Sequence, residues 1–171
     1  RPSGPGSRIA TTLVGAATGL VAGLVVVTPG AGFVEPWAAL VMGLIVSPVC
    51  FWAISHLKAR LGYDDALDAF GCHGVGGLLG GVLTGFFAVP ELSWTGKGGL
   101  LYTGDPSLLM SQVLGILVTL AIVVVLDLVL ICALKAVFGG KLRVSEREEA
   151  LGLDVSQHGE SAYPAFTGLD A

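Results

Sequence analysis

Asp64-Asp65-Ala66-Leu67-Asp68-Ala69-Phe70-Gly71-Cys72-His73-Gly74-Val75-Gly76-Gly77 opens an apolar, glycine-rich run that continues to Val89. As one helix from Ala66 to Val89, rising about 1.5 Å per residue, it spans a hydrocarbon core about 30 Å thick. Asp64 or Asp65 is placed to cap its start, and Asp68 falls in its first turns, where a cap or helix-dipole role is expected. His73 then lies roughly 12 Å along the helix, close to the bilayer midplane. An ionisable ring at that depth is costly to desolvate and marks a candidate functional site. Gly71, Gly74, Gly76 and Gly77 leave room beside it. A neutral imidazole donates from one nitrogen and accepts at the other. That suits a small neutral hydrogen-bonding solute, or a proton relay, better than a bare cation. A histidine bonded to a neighbouring helix in a purely structural role is the alternative.

Three further apolar runs flank this one, at 11–28, 36–57 and 107–138. Each reaches the ~17–25 residues a spanning helix needs, and the last exceeds it and should tilt or project. Pro29-Gly30 ends the first run, Pro36 suits the first turn of the second, Asp105-Pro106-Ser107 can cap the fourth and Gly139-Gly140 ends it. A mean hydropathy of +0.81 with only 13% charged residues agrees, since soluble domains carry roughly 25%. The chain therefore reads as all-α: a polytopic membrane helix bundle over residues 1–140, followed by a polar tail over 141–171. The chain starts with Arg1, not Met, and the reading expects a fragment of a longer protein.

The basic residues orient the bundle. Arg1, Arg8, Lys58, Arg60, Lys135, Lys141, Arg143 and Arg147 fall on the side of the termini, and Lys97 alone falls on the other. Positive charge favours the cytoplasm, so both ends of the segment are expected there. The acids behind the net charge of −4 cluster in the tail and point to no basic or acidic partner; no nucleic-acid partner is expected. In the tail, Ser145 with Glu148 forms a capping-box pattern. Trp94 and Tyr102, in the outer loop, read as interfacial anchors.

Gly15, Gly19 and Gly23 in the first span, and Gly77, Gly81 and Gly85 in the third, recur every fourth residue and read as helix-packing seams. Such glycines inside apolar helices, with no strand before them, make no nucleotide site. Cys50, Cys72 and Cys132 lie in three separate spans without metal-ligand spacing, so packing is the expectation, with no metal and no cofactor. Asp127 is an unassigned acid inside the fourth span. His56, beside Lys58, and His158, in the tail, read as solvated.

The stretch from Asp64 to Gly77, with Thr84-Gly85-Phe86-Phe87-Ala88 after it, resembles the penultimate-helix signature of the ammonium transporter family (Amt/Mep, related to Rhesus proteins). Residues Ala22 to Val34 resemble the end of that family's eighth helix. Leu142 to Asp154 with His158-Gly159-Glu160-Ser161-Ala162-Tyr163 resembles its C-terminal tail. The resemblance implies homotrimers of eleven-helix subunits in the plasma membrane, of which these would be the last four spans, and a transport protein rather than an enzyme. It implies that His73 is the second of two facing pore histidines, with Ala69, Phe70 and Thr28 near the pore. Ammonium would shed a proton outside and ammonia would pass the pair, which excludes potassium. The tail, including Arg143, Glu146, Glu148, Gly152, Asp154, His158 and Tyr163, would be a regulatory surface on which a PII-type signalling protein docks. The first pore histidine and the outer aromatic gate belong to family helices outside these spans, so the segment alone is expected not to conduct. A non-conducting remnant or assembly subunit, a Rhesus-like gas channel and a proton relay through His73 and Asp127 are the competing readings.

Overall fold

The computed structural model describes residues 13–160, and among them every regular element is helical. Helix α1 is Leu13–Val27 and runs into a 3₁₀ turn, Thr28–Gly30. Helix α2 is Pro36–Leu61, α3 is Phe70–Phe87, α4 is the short Leu100–Thr103, α5 is Ser107–Val137 and α6 is Glu146–Leu151. Three of them, α2, α3 and α5, are long and apolar enough to cross a membrane; α1, with its turn, is apolar but shorter. Residues 11 and 12 of the first expected span lie outside the described residues.

Two units partition the chain, residues 1–120 and 121–171. The first holds the core. Ala22 and Val26 of α1, Met42, Val46 and Cys50 of α2, and Cys72 and Leu83 of α3 are buried together. Lipid is as apolar as these side chains, so what holds such helices together is close packing rather than escape from water. Glycine makes the approach possible. A Cβ on Gly80 would collide with the Val26 carbonyl, and one on Gly76 would lie 3.2 Å from Val25 Cγ1 and 3.4 Å from Cys50 Sγ. On the adjoining face, a Cβ on Gly81 would meet Ile116 Cδ1 at 2.9 Å, and one on Gly85 would meet Leu109 Cα at 2.7 Å.

The seams therefore differ from the four-residue stripes. Gly81 and Gly85 face the first part of α5. The α1 contact runs through Gly76 and Gly80, while a Cβ on Gly77, Gly19 or Gly23 would meet nothing within 4 Å. Consecutive glycines offer two faces, and periodicity alone does not say which face is used.

The third span also starts later than expected, at Phe70 rather than Ala66. Asp65 is the reason. Its Oδ1 accepts from the Ala69 amide and its Oδ2 from the Phe70 amide, each at 2.9 Å, so the helix begins where those two N–H groups are satisfied. Asp68 does not cap. It precedes the helix with a left-handed backbone, φ 55°, and its carboxylate pairs with Lys58 at 2.7 Å. Lys58 also donates to the Asp65 carbonyl. These bonds satisfy polar backbone that no helix engages.

Across from the basic ends, Val89 N–H donates to the Phe33 carbonyl at 2.8 Å and Gly99 N–H to the Ala88 carbonyl at 2.7 Å. There the Glu35 Oε2 accepts from Trp37 Nε1 at 2.6 Å and from the Tyr102 hydroxyl at 2.9 Å. Asp105 accepts from the Ser107 amide and hydroxyl, fixing the start of α5.

The second unit holds the rest of α5, which is exposed throughout, and the tail. Gly139 and Gly140 take positive φ and end α5. The capping box forms: Ser145 Oγ accepts from the Glu148 amide, and Glu148 Oε2 accepts from the Ser145 amide. Arg143 Nη2 pairs with Glu149 Oε1 at 2.7 Å.

Candidate functional site

Phe70–Gly74, the first turn of α3, is π-helical: the Val75 amide reaches back five residues to the Phe70 carbonyl. It holds His73. In this turn Gly71 and Cys72 are buried and His73 is exposed. His73 thus stands in the first helical turn rather than deep within a longer helix. At the level of this turn, Cys50, near the middle of α2, packs its Sγ 3.8 Å from the Cys72 carbonyl.

The imidazole edges three adjoining clefts. The first, about 550 Å³, lies between α3 and α5 and is lined by Phe70, Gly74 and Gly77 on one side and by Gln112, Gly115, Ile116 and Thr119 on the other. The second, about 570 Å³, runs along α1 past Thr18 and Val21 and includes Asp68, Ala69 and Cys72. The third holds Leu24, Val25, Thr28 and Pro29. Phe70, Ala69 and Thr28 thus each line a different one of these clefts, and His73 edges all three. The Thr28 hydroxyl donates to the Leu24 carbonyl at 2.7 Å. Phe70 packs edge-on against Tyr63, ring centres 5.6 Å apart, and its ring lies over Gly74.

Gln112 and Thr119 were not singled out by the sequence, although a signal was there. Positions 112, 115, 116 and 119 fall on one helical face, and two of the four are polar inside an apolar run. Among the described residues no hydrogen bond engages the His73 ring, and no group of three metal-ligand side chains occurs. The other histidines lie elsewhere: His56 is exposed and stacked on Trp52, and His158 sits at the end of the tail's last turn. Asp127 is exposed on α5, as is Cys132.

Of the expected regulatory residues, Arg143 precedes α6, Glu146 and Glu148 lie on it, and Gly152, Asp154 and His158 follow it; Tyr163 lies outside the described residues. The Ser156 hydroxyl donates to the Glu148 and Gly152 carbonyls, and Gln157 Nε2 donates to Glu148 Oε1. The Ser145 hydroxyl, foremost, and the Ser145 amide hold the Glu148 carboxyl below the usual carboxylate range, and Arg143 does the same for Glu149.

Comparison with known proteins agrees with this architecture. A protein named Ammonium transporter from Bacillus subtilis is 47% identical over 152 residues, covering 89% of this chain and 37% of the relative. Another of that name from Aquifex aeolicus is 48% identical over 152 residues, covering 89% of this chain and 34% of its own. The crystal structure of Saccharomyces cerevisiae Mep2 matches with a TM-score of 0.70 at 36% identity, covering 93% of this chain and 36% of that one. The chain thus spans about a third of the length of these relatives. Residues 7–163 match the Ammonium Transporter Family from end to end of the described bundle, and the chain belongs to that family.

Proposed function

We propose that this segment forms part of the wall of a narrow transmembrane path for ammonium or ammonia and contributes one imidazole, His73, to a facing pair. The observation that carries the proposal is the placement of that ring. It stands exposed where three clefts meet, at the level of the middle of α2, while Gly71 and Cys72 beside it are buried. The relatives' names supply the solute.

The chemistry fits a small hydrogen-bonding solute. The walls of the first and third clefts are glycine and apolar side chains with isolated polar groups from His73, Gln112, Thr119 and Thr28. An apolar path disfavours any ion that must keep its charge, so potassium is rejected for want of a proton to shed. Ammonium, having lost its proton, crosses as ammonia and exchanges hydrogen bonds with the ring's donor and acceptor nitrogens. The motif around His73 has no second copy in this sequence, and His56 is exposed against Trp52, so the facing ring is supplied by other helices of the complete protein. The segment by itself is half a wall and does not conduct.

The same reading sets the orientation and the partners. Lys58, Arg60, Lys135, Lys141, Arg143 and Arg147 against Lys97 support a cytoplasmic location for both ends of the segment, and the family supports a membrane location. The tail, braced by Arg143–Glu149 and the Ser145–Glu148 box, is the surface for subunit coupling in a trimer and for a PII-type regulator. The test is reconstitution of the complete protein that carries this segment. An outward-to-inward ammonium gradient should shift the internal pH of such liposomes faster than that of protein-free ones. Indistinguishable traces would reject the transport reading.

A further inference from the structure

The packing beneath His73 has a second participant. α2 carries its own π turn, Ala53–Leu57, in which the Lys58 amide reaches back to the Ala53 carbonyl. This turn lies against the π turn Phe70–Gly74. At their meeting point, an ideal Cβ on Gly71 would lie 2.5 Å from Ile54 Cγ1, 3.4 Å from Ile54 N and 3.5 Å from Ile54 Cα. Only a hydrogen fits there, and backbone rests on backbone.

We propose that Ile54 and Gly71 are positioning residues that set the rotation of the His73 ring in the path. Two residues along an α-helix turn a side chain through about 200°, and somewhat less in the wider π turn. His73 is two residues beyond Gly71, so pressing Gly71 against Ile54 aims His73 at the opposite side, into the clefts. The burial agrees: Gly71 is buried against α2 while His73 is exposed. Two bonded contacts from α2, one turn to either side of Ile54, hold the same segment: Lys58 with Asp68 before the turn and Cys50 Sγ with the Cys72 carbonyl within it. Between them, the Gly71–Ile54 contact sets how closely the turn sits on α2. An added methyl there lifts the turn off α2 and swings the ring.

This inference rests on the reading of His73 as a path residue. Its test uses the complete protein in liposomes and reads the ratio of methylammonium to potassium uptake, which does not depend on how much protein inserts. Gly71→Ala should lower that ratio at least tenfold, and adding Ile54→Ala should restore it to within about threefold. Ile54→Ala alone removes the wall without adding an atom and should lower the ratio several-fold, so the test survives a Gly71→Ala variant that does not insert. In a His73→Ala background, Gly71→Ala should cause no further change. If His73→Ala shifts the ratio while Gly71→Ala and Ile54→Ala leave it alone, the positioning role is overturned and the path reading stands. If His73→Ala itself leaves the ratio unchanged, both fall.

Discussion

Lys58 and Asp68 join the last turns of α2 to the threshold of α3 through an ion pair of 2.7 Å, directly below the turn that holds His73. Its side chains are 29% and 37% exposed, so the pair alone should contribute about 0–1 kcal/mol. Asp65 does more at the same threshold, because it satisfies two of the orphan amides of α3. Losing such a cap costs about 0.5–2 kcal/mol. Asp65→Ala should therefore lower the thermal unfolding midpoint in detergent more than Lys58→Met does, with Asp65→Asn between them. At Asp68 the left-handed backbone adds a separate effect: Asp68→Gly should lose only the ion pair, whereas Asp68→Val should add about 1–2 kcal/mol of strain. Equal midpoints for Asp68→Gly and Asp68→Val would contradict the strained geometry.

The glycines divide into those that touch and those that do not. Gly80→Ala drives a methyl into the Val26 carbonyl, and Gly85→Ala drives one into Leu109. Overpacking of this kind costs about 1–3 kcal/mol. Gly23→Ala places its methyl in open space and should change stability by no more than about 0.5 kcal/mol. Unfolding midpoints of the three variants, measured side by side, rank the seams, and a Gly23→Ala loss as large as that of Gly80→Ala would show the α1 seam to be misplaced.

The outer contact among Glu35, Trp37 and Tyr102 should respond to pH in one direction at each end of its range. The Trp37 indole, foremost, and the Tyr102 hydroxyl hold the Glu35 carboxyl below its ordinary value of 4.5. A carboxyl whose folded value is depressed stabilises the fold above the ordinary value, and that contribution disappears as pH falls through the folded one. Desolvation, then the bond to Glu35, raises the Tyr102 phenol above its ordinary value of 10.0. Its contribution is complete below 10.0 and is lost as pH rises through the folded value. Trp37 fluorescence, read in a variant with Trp52 and Trp94 replaced by Phe, should hold steady between these limits and change on acidification below the ordinary carboxyl value of 4.5, as the carboxylate gains its proton. Glu35→Gln should abolish the acid transition; its persistence would assign the transition to another group.

Much of this architecture is legible in the sequence for a physical reason: a bilayer demands long apolar runs, and the runs ending near Leu57, Val89 and Phe138 are unmistakable by length and composition. What the sequence hides is geometry between elements. The start of α3 moves from Ala66 to Phe70 because one carboxylate reaches two amides, and propensity does not choose between Asp64 and Asp65. Lys58 meets Asp68 ten positions away across a turn, and Tyr102 meets Glu35 sixty-seven positions away, so neither pair has a local signature. The π turn at Phe70–Gly74 leaves no periodic trace among its glycines. His73 was visible because an imidazole is costly in an apolar run, whatever the helix around it does. Gln112 and Thr119 were passed over because a single amide or hydroxyl in such a run is cheap by comparison.

The claim that His73 lines the path is tested most directly by methylammonium uptake into liposomes holding the complete protein, wild type against His73→Ala, with uptake divided by inserted protein and potassium uptake measured in parallel. The account predicts that the variant inserts and unfolds at the wild-type temperature, yet shows a methylammonium-to-potassium ratio changed at least tenfold. A correctly inserted His73→Ala protein with wild-type uptake and wild-type exclusion of potassium would contradict it.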